Sequence, residues 1–257
     1  MPYKVLNRIR KWILTIIQWT QPAPPREIPA ELHDRFTMHG EIPVQYRYRN
    51  EVYPSLFPRF YSRSEVNTYI ERASGKDVFY YKKTSTWMYE AIEKYPIKNR
   101  EVAVMGSTIP KCEAICLAYG ARPTSIEYNK IISSDTRLNL LTVDEFTNNP
   151  RIFDAAFSIS SFEHDGLGRY GDPLNPDGDL DVMKYMKSVV KPNGLLFLAV
   201  PVGSDCLVWN LHRIYGKIRL PMLLQEWRVL DSFGFAEEHF GREQLSPEQP
   251  VFVLENV

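Results

Sequence analysis

Downstream of residue 100 the apolar positions gather in short runs: "EVAVM", "PTSIEY", "FDAAFSIS" and "GLLFLAV", each five to eight residues long. Largely apolar runs of that length predict strands buried on both faces. Between them lie helix-length segments, "PKCEAICLAYGA", "NKIISSDT" and "DGDLDVMKYMKSVV". Alternation of the two kinds predicts a parallel sheet with helices on both faces. Beyond Pro201 the pattern changes. "RLPMLLQEWRVLDSFGF" predicts a helix ending near Gly234, and "FAEEHF" and "PVFVLEN" predict two closing strands in a hairpin. The fold class expected is α/β: a doubly wound, mostly parallel sheet with its last strand reversed.

Upstream of residue 100 the pattern is helical or irregular. "YKVLNRIRKWILTIIQW" sets Val5, Ile9, Trp12, Ile13, Ile16 and Ile17 on one stripe, flanked by Lys4, Arg8 and Lys11. Its uncharged run, Trp12 to Trp19, is far shorter than the roughly 20 residues of a spanning helix. No small-residue cleavage site follows it. The stripe predicts a helix docked on the protein's own surface or one making peripheral membrane contact through residues 3–19. Pro22, Pro24, Pro25 and Pro29 form a stiff linker. "SRSEVNTYIERAS" predicts a helix capped by Ser62 or Ser64 and ended by Gly75, and "TSTWMYEAIEKYP" a second, stopped by Pro96. Three regions result: residues 1–30, helix and linker; residues 31–99, an aromatic-rich helical and irregular extension; residues 100–257, the α/β domain.

Composition narrows the partners. Lys plus Arg and Asp plus Glu are equal at 31 each, so no overall field attracts nucleic acid. Three cysteines, Cys112, Cys116 and Cys206, have neither metal-ligand spacing nor a paired framework. A reducing cytoplasmic setting and no bound metal are expected.

In a doubly wound sheet, ligands bind beyond the carboxyl ends of the strands, where strand order reverses. After "EVAVM", Gly106 permits a sharp turn, and Ser107 or Thr108 is placed to cap the helix opened by Pro110. The second strand ends near Glu127, 127 − 106 = 21 positions past Gly106, the spacing of an acidic residue that binds ribose hydroxyls. Asn129 is placed to assist. The loop lacks the further glycines that a pyrophosphate's close approach requires. A cofactor with a ribose and no phosphate, S-adenosylmethionine, fits these residues better than a dinucleotide.

The succession "VAVMGSTIPKCEAICLAYGA", "SIEYN", "FDAAFSISSFEH", "VVKPNGLLFLAVPVG" and the closing hairpin resembles the class I S-adenosylmethionine-dependent methyltransferases. "GLGRYGDPLNPDGD" and "LHRIYGKIRL" further resemble the domain-of-unknown-function 268 family. The resemblance covers roughly residues 100–257 and implies a doubly wound, mostly parallel seven-stranded sheet, its reversed last strand, and the cofactor named above.

Ser160 and the residues through His164 then emerge from the fourth strand beside the expected cofactor site. Methyl transfer needs an oriented acceptor and a route for its proton. His164 is the leading general base, with Asp165 or Glu163 orienting it or substituting for it; a turn-capping role for Glu163 and His164 stands beside this. Gly166, Gly168 and Gly171 predict a tight turn or a hinged flap. Within that loop Arg169 and Tyr170 are placed to hold an anionic or sugar-like group, and Asp172 to accept sugar hydroxyls. His212 and Arg213, in "WNLHRIYGKIRLP", read as a solvated basic helix end, an acceptor site, or one side of an ion-pair network with the Asp-rich loop. No register of that loop meets the EF-hand pattern. The expected activity is methylation of a hydroxyl or carboxyl on a small-molecule or glycan-type acceptor. The alternatives are a non-catalytic scaffold of methyltransferase fold and, less well supported, a nucleotide-sugar transferase.

Overall fold

Alternate residues of each central strand point to opposite faces, and both faces here are covered. The computed structural model describes residues 23–51, 58–79, 82–243, 245 and 247–257; the stripe at 3–19 lies outside these. The first elements are α1 (Ala30–Phe36), β1 (Val44–Tyr46), β2 (Arg59–Tyr61), α2 (Arg63–Ser74) and α3 (Lys82–Lys94). Next come β3 (Glu101–Met105), α4 (Lys111–Ala118), β4 (Arg122–Glu127), β5 (Ile131–Ser133), β6 (Asn139–Thr142), α5 (Val143–Asn148) and β7 (Phe153–Ile159). The chain closes with α6 (Gly178–Val189), β8 (Val190–Ala199), β9 (Cys206–Trp209), β10 (His212–Ile214), α7 (Arg219–Leu224), β11 (Arg228–Phe233) and β12 (Val251–Glu255).

Seven strands form one sheet in the order β11-β12-β8-β7-β3-β4-β6. Only β12 is reversed, pairing antiparallel with both β8 and β11. On one face Ala103, Met105, Ala156, Leu196 and Leu198 pack against Phe146 of α5, Met183 and Met186 of α6, and Leu220 and Leu223 of α7. On the other, Val102, Val104, Phe157 and Phe197 pack against Ala73 of α2, Met88 and Ile92 of α3, and Ile115 and Cys116 of α4. Each fully buried Leu or Phe stabilises the fold by about 1.5–3 kcal/mol. Helix ends are marked locally: the Ser62 hydroxyl accepts from Glu65 N–H, and Thr142 and Glu145 form a reciprocal capping box ahead of α5.

A second, three-stranded sheet, β1-β9-β10, ties the N-terminal segment to the excursion that follows β8. Phe36 of α1 packs edge-on against the buried Trp209 of β9, with ring centroids 5.1 Å apart.

Four local expectations are corrected. "NKIISSDT" is not a helix: it contributes β5, which pairs in parallel with β2, its β-branched Ile131 buried and Ile132 exposed as in a strand with one covered face. The helix after Pro201 stops at Leu224, and "RVLDSF" is instead the edge strand β11. Pairing with β12 outweighs its helical appearance. "FAEEHF" is consequently not a strand but carries a short 3-10 turn, Glu237–Gly241. Residues 31–61, read as mostly irregular, hold α1, β1 and β2.

Candidate functional site

The sheet's order reverses between β3 and β7, and a cavity of about 720 Å³ opens beyond their carboxyl ends. That volume lies within the roughly 300–1,000 Å³ typical of small-molecule sites. Gly106, Ser107, Glu127, Ser160, Glu163, His164, Asp165, Arg169, Tyr170 and His212 all line it. Asn129, Asp172 and Arg213 are outside its lining.

At the β3 side, Gly106 has φ +74°, and a Cβ there would stand 2.4 Å from Ser161 Oγ. Both facts require glycine. Ser107 N–H donates to Glu127 Oε2 at 2.8 Å, and Tyr128 N–H to Oε1 at 2.9 Å. With Asn129 also acting on this carboxyl, three backbone N–H groups meet it and about one of its four acceptor sites remains for a hydroxyl donor. Burial holds the Glu127 carboxyl above its ordinary range, against the lowering effect of these N–H donors. Asn129 contributes a backbone contact to the same carboxyl rather than a wall of the cavity. The expected side-chain cap on α4 is absent: Pro110 occupies the N-cap, and Ser107 Oγ bonds with Tyr61 Oη at 3.0 Å instead. Beneath this loop Glu113 is fully buried, its Oε1 accepting from Ser125 Oγ at 2.6 Å.

At the β7 side, Ser160 ends the strand with φ +55° and the chain turns into the 3-10 segment Phe162–His164. Ser160 Oγ donates to Glu163 Oε1 at 2.8 Å and accepts from Gln249 Nε2 at 3.1 Å. Glu163 is fully buried, its Oε2 has no hydrogen-bond partner, and burial pushes its carboxyl up to about 7. His164 Nδ1 bonds the Leu211 carbonyl, which makes it the donor of a neutral ring. Its Nε2 lies 3.6 Å from Glu163 Oε1. Burial, with Arg169 nearby, lowers His164 to about 3. The imidazole is therefore a weak base, poorly suited to the general-base role expected of it. Asp165 is raised well above the usual carboxyl range by burial and by Asp172.

Arg169 pairs with Glu51 at 3.0 Å and stacks over the Tyr170 ring at 4.9 Å. Asp172 instead fixes its own turn, accepting from Gly168 N–H at 3.0 Å and Tyr170 N–H at 3.2 Å. The loop is a tight turn: at Gly166, φ +80°, an added Cβ would meet the Asn175 carbonyl at 2.1 Å. Arg213 and Arg219 are buried and converge on Asp179, Arg219 Nη2 at 2.6 Å and Arg213 Nε at 3.5 Å. Within the basic stretch, Arg213 and Arg219 thus form an internal ion-pair network with Asp179, whereas His212 lines the cavity.

Sequence reasoning missed Arg49, Glu51, Tyr128 and Gln249 in the lining. Arg49 and Glu51 come from the extension, held there by paired bonds between the Arg49 backbone and the Asn210 side chain, 2.9 and 3.0 Å. Their one sequence signal is the dense polar-aromatic patch around "QYRYRNEVY". Among the described residues, no group of three or more His, Cys, Asp or Glu side chains is placed to hold a metal, and no helix is long and apolar enough to cross a membrane.

The family described as "Caenorhabditis protein of unknown function, DUF268" matches residues 99–249, more than half of the chain. The chain belongs to this DUF268 family. The matched span runs from the start of β3 to Gln249, so Gly106, Glu127, Ser160, Glu163 and His164 are all family territory. No curated protein matches the chain. Among solved structures it is similar to the Burkholderia thailandensis 1,6-didemethyltoxoflavin-N1-methyltransferase, crystallised with 1,6-didemethyltoxoflavin and S-adenosylhomocysteine. That likeness has a TM-score of 0.52 at 15% identity and covers 74% of this chain and 86% of the other. The N-methyltransferase NodS of Bradyrhizobium japonicum matches at TM-score 0.45 and 10% identity over 67% of this chain and 93% of its own. The first of these likenesses, with the strand order, shows that this DUF268 member has the class I methyltransferase fold.

Proposed function

We propose that the protein is an S-adenosylmethionine-dependent methyltransferase acting on a hydroxyl or carboxyl of a small-molecule or glycan-type acceptor. The observation that carries this reading is the convergence of Gly106 and Glu127, at the ends of adjacent strands, on the cavity that Glu163 also walls. Glu127 would accept from the ribose hydroxyls, and the space kept open at Gly106 would admit the cofactor against the backbone. The bound cofactor would supply a methyl group on a positively charged sulfur. The residues across the cavity, Arg169, Tyr170 and His212, would orient the acceptor through polar and aromatic contacts.

Calorimetric titration with S-adenosylmethionine and S-adenosylhomocysteine tests the reading. Glu127→Ala should weaken binding by about 1.5–3 kcal/mol, roughly 10- to 150-fold, the size of a charged hydrogen-bonding partner. Gly106→Ala should weaken it too, through the lost space. Absence of binding by the unaltered chain would support the alternative, a non-catalytic scaffold. The observation favouring that alternative is the Gly-poor loop, whose Ser107 N–H is already engaged by Glu127.

A further inference from the structure

A carboxyl kept only for structure is normally satisfied at both oxygens, since a buried unpaired acceptor costs about 1–3 kcal/mol. Glu163 and Glu113 both depart from this, and of the two it is Glu163 that lines the cavity. Its side chain is 1% exposed, it walls the cavity, and Oε2 has no partner. Its Oε1 accepts from Ser160 Oγ, its own backbone N–H also favours the ionised form, and His164 Nε2 lies 3.6 Å from Oε1. Ser160 is in turn held by Gln249 Nε2, so the carboxyl's position is set from β7 and from the segment entering β12. Two cations act on it from other elements, Arg169 of the glycine loop and Lys111 of α4, and Arg169 is shared with Glu51. Asp165, Tyr170 and Tyr215 also feel its charge, and each is disfavoured as an anion by it. Glu163 thus lines the cavity as a buried carboxyl, one oxygen of which has unused hydrogen-bonding capacity.

We propose that Glu163 takes the proton of an acceptor hydroxyl, and that its ionisation is governed by the charge of the cofactor bound in the same cavity. The proposal rests on the methyltransferase reading and narrows it to a hydroxyl acceptor. In the step, the acceptor's O–H bond breaks and its proton passes to Glu163 Oε2 while the O–CH3 bond forms. The S–CH3 bond breaks with its electron pair left on sulfur. Glu163 begins as a carboxylate beside a positive sulfur and ends protonated beside a neutral thioether, so the change in cofactor charge favours the transfer at both ends. A carboxyl near 7 in the unliganded protein is poised for this switch. His164, neutral and tied to Leu211, is a positioning residue that flanks the carboxyl.

The test reads protons, not turnover. Titrations of the full chain at pH 7 in buffers of different ionisation enthalpy count the protons released on binding. S-adenosylmethionine and S-adenosylhomocysteine carry the same adenosine and amino-acid groups, so the difference between them isolates the sulfonium charge. With a carboxyl near 7, S-adenosylmethionine should release about half a proton more than S-adenosylhomocysteine. Glu163→Gln should abolish that difference. Ser160→Ala, which removes a hydrogen bond that favours the ionised form, should move its midpoint to higher pH and keeps the test available if the first variant fails to fold. Equal release by the two ligands, or a difference that survives in Glu163→Gln, would overturn the proposal and leave the methyltransferase reading standing. Binding of neither ligand would overturn the reading beneath it.

Discussion

Glu163 and Asp179 are both fully buried carboxyls, sixteen residues apart on either side of one Gly- and Asp-rich loop, and their chemistry is opposite. Asp179 accepts from Arg219 Nε at 2.9 Å, Arg219 Nη2 at 2.6 Å and Tyr215 Oη at 3.0 Å, with Arg213 alongside. Burial pushes its carboxyl up, but the two guanidinium groups outweigh burial and hold it below the ordinary range. Glu163 has one hydroxyl donor and no directly bonded cation, so burial wins and the carboxyl rises to about 7. Equal burial therefore says little about a carboxyl's role. The number and charge of its donors decide whether it becomes a fixed anion in the framework or a group free to exchange a proton.

The sharpest challenge to this contrast is Asp179→Asn. It leaves Arg213 and Arg219 buried with no anion, and the expected loss is about 3–5 kcal/mol in urea denaturation. The same network should weaken only in acid. Asp179 is held below its unfolded value, so its contribution is complete above about pH 4 and is lost as pH falls through the folded value. A loss under 1 kcal/mol for Asp179→Asn would show that the network is not a structural staple.

Glu163→Gln should do the reverse. A raised carboxyl destabilises the fold progressively from the unfolded value of 4.5 to about 7 as pH rises. The variant should match the unaltered chain near pH 4 and exceed its stability by about 2–3 kcal/mol at pH 8. Parallel stability curves across that window would mean Glu163 has an ordinary carboxyl. The smallest effect belongs to Glu51→Gln. Losing a partly exposed pair should change stability by about 0.2–1 kcal/mol. Because Arg169 then acts on Glu163 undivided, the Glu163 midpoint should move to lower pH, read from its carboxyl infrared band. An unmoved midpoint would separate Arg169 from Glu163.

The sheet was legible because burial on both faces writes itself into the chain: "EVAVM" is β3 residue for residue, and all but the last residue of "FDAAFSIS" and of "GLLFLAV" lie in β7 and β8. Gly106 and Glu127 were legible because turn geometry and strand ends are local. β11 was misread because "RVLDSF" owes its state to β12, a strand eighteen or more residues further on. For Arg213 the sequence allows a solvated helix end, an acceptor site or an ion pair with the Asp-rich loop, and only the fold selects the last by bringing Asp179 to it. Arg49 and Glu51 reach the cavity only because β1 pairs with β9, some 160 residues away.

By itself, then, the sequence determined the α/β class, the central strands, a helix opened at Ser62 or Ser64 and ended at Gly75, and the loop that carries Gly106. Those depend on periodicity, capping and backbone freedom, which act within a few residues. Only the tertiary structure decided which carboxyl meets two arginines and which keeps an empty oxygen, or that His164 is neutral. Ionisation is set by burial and by partners brought from remote parts of the chain, and no local pattern encodes either.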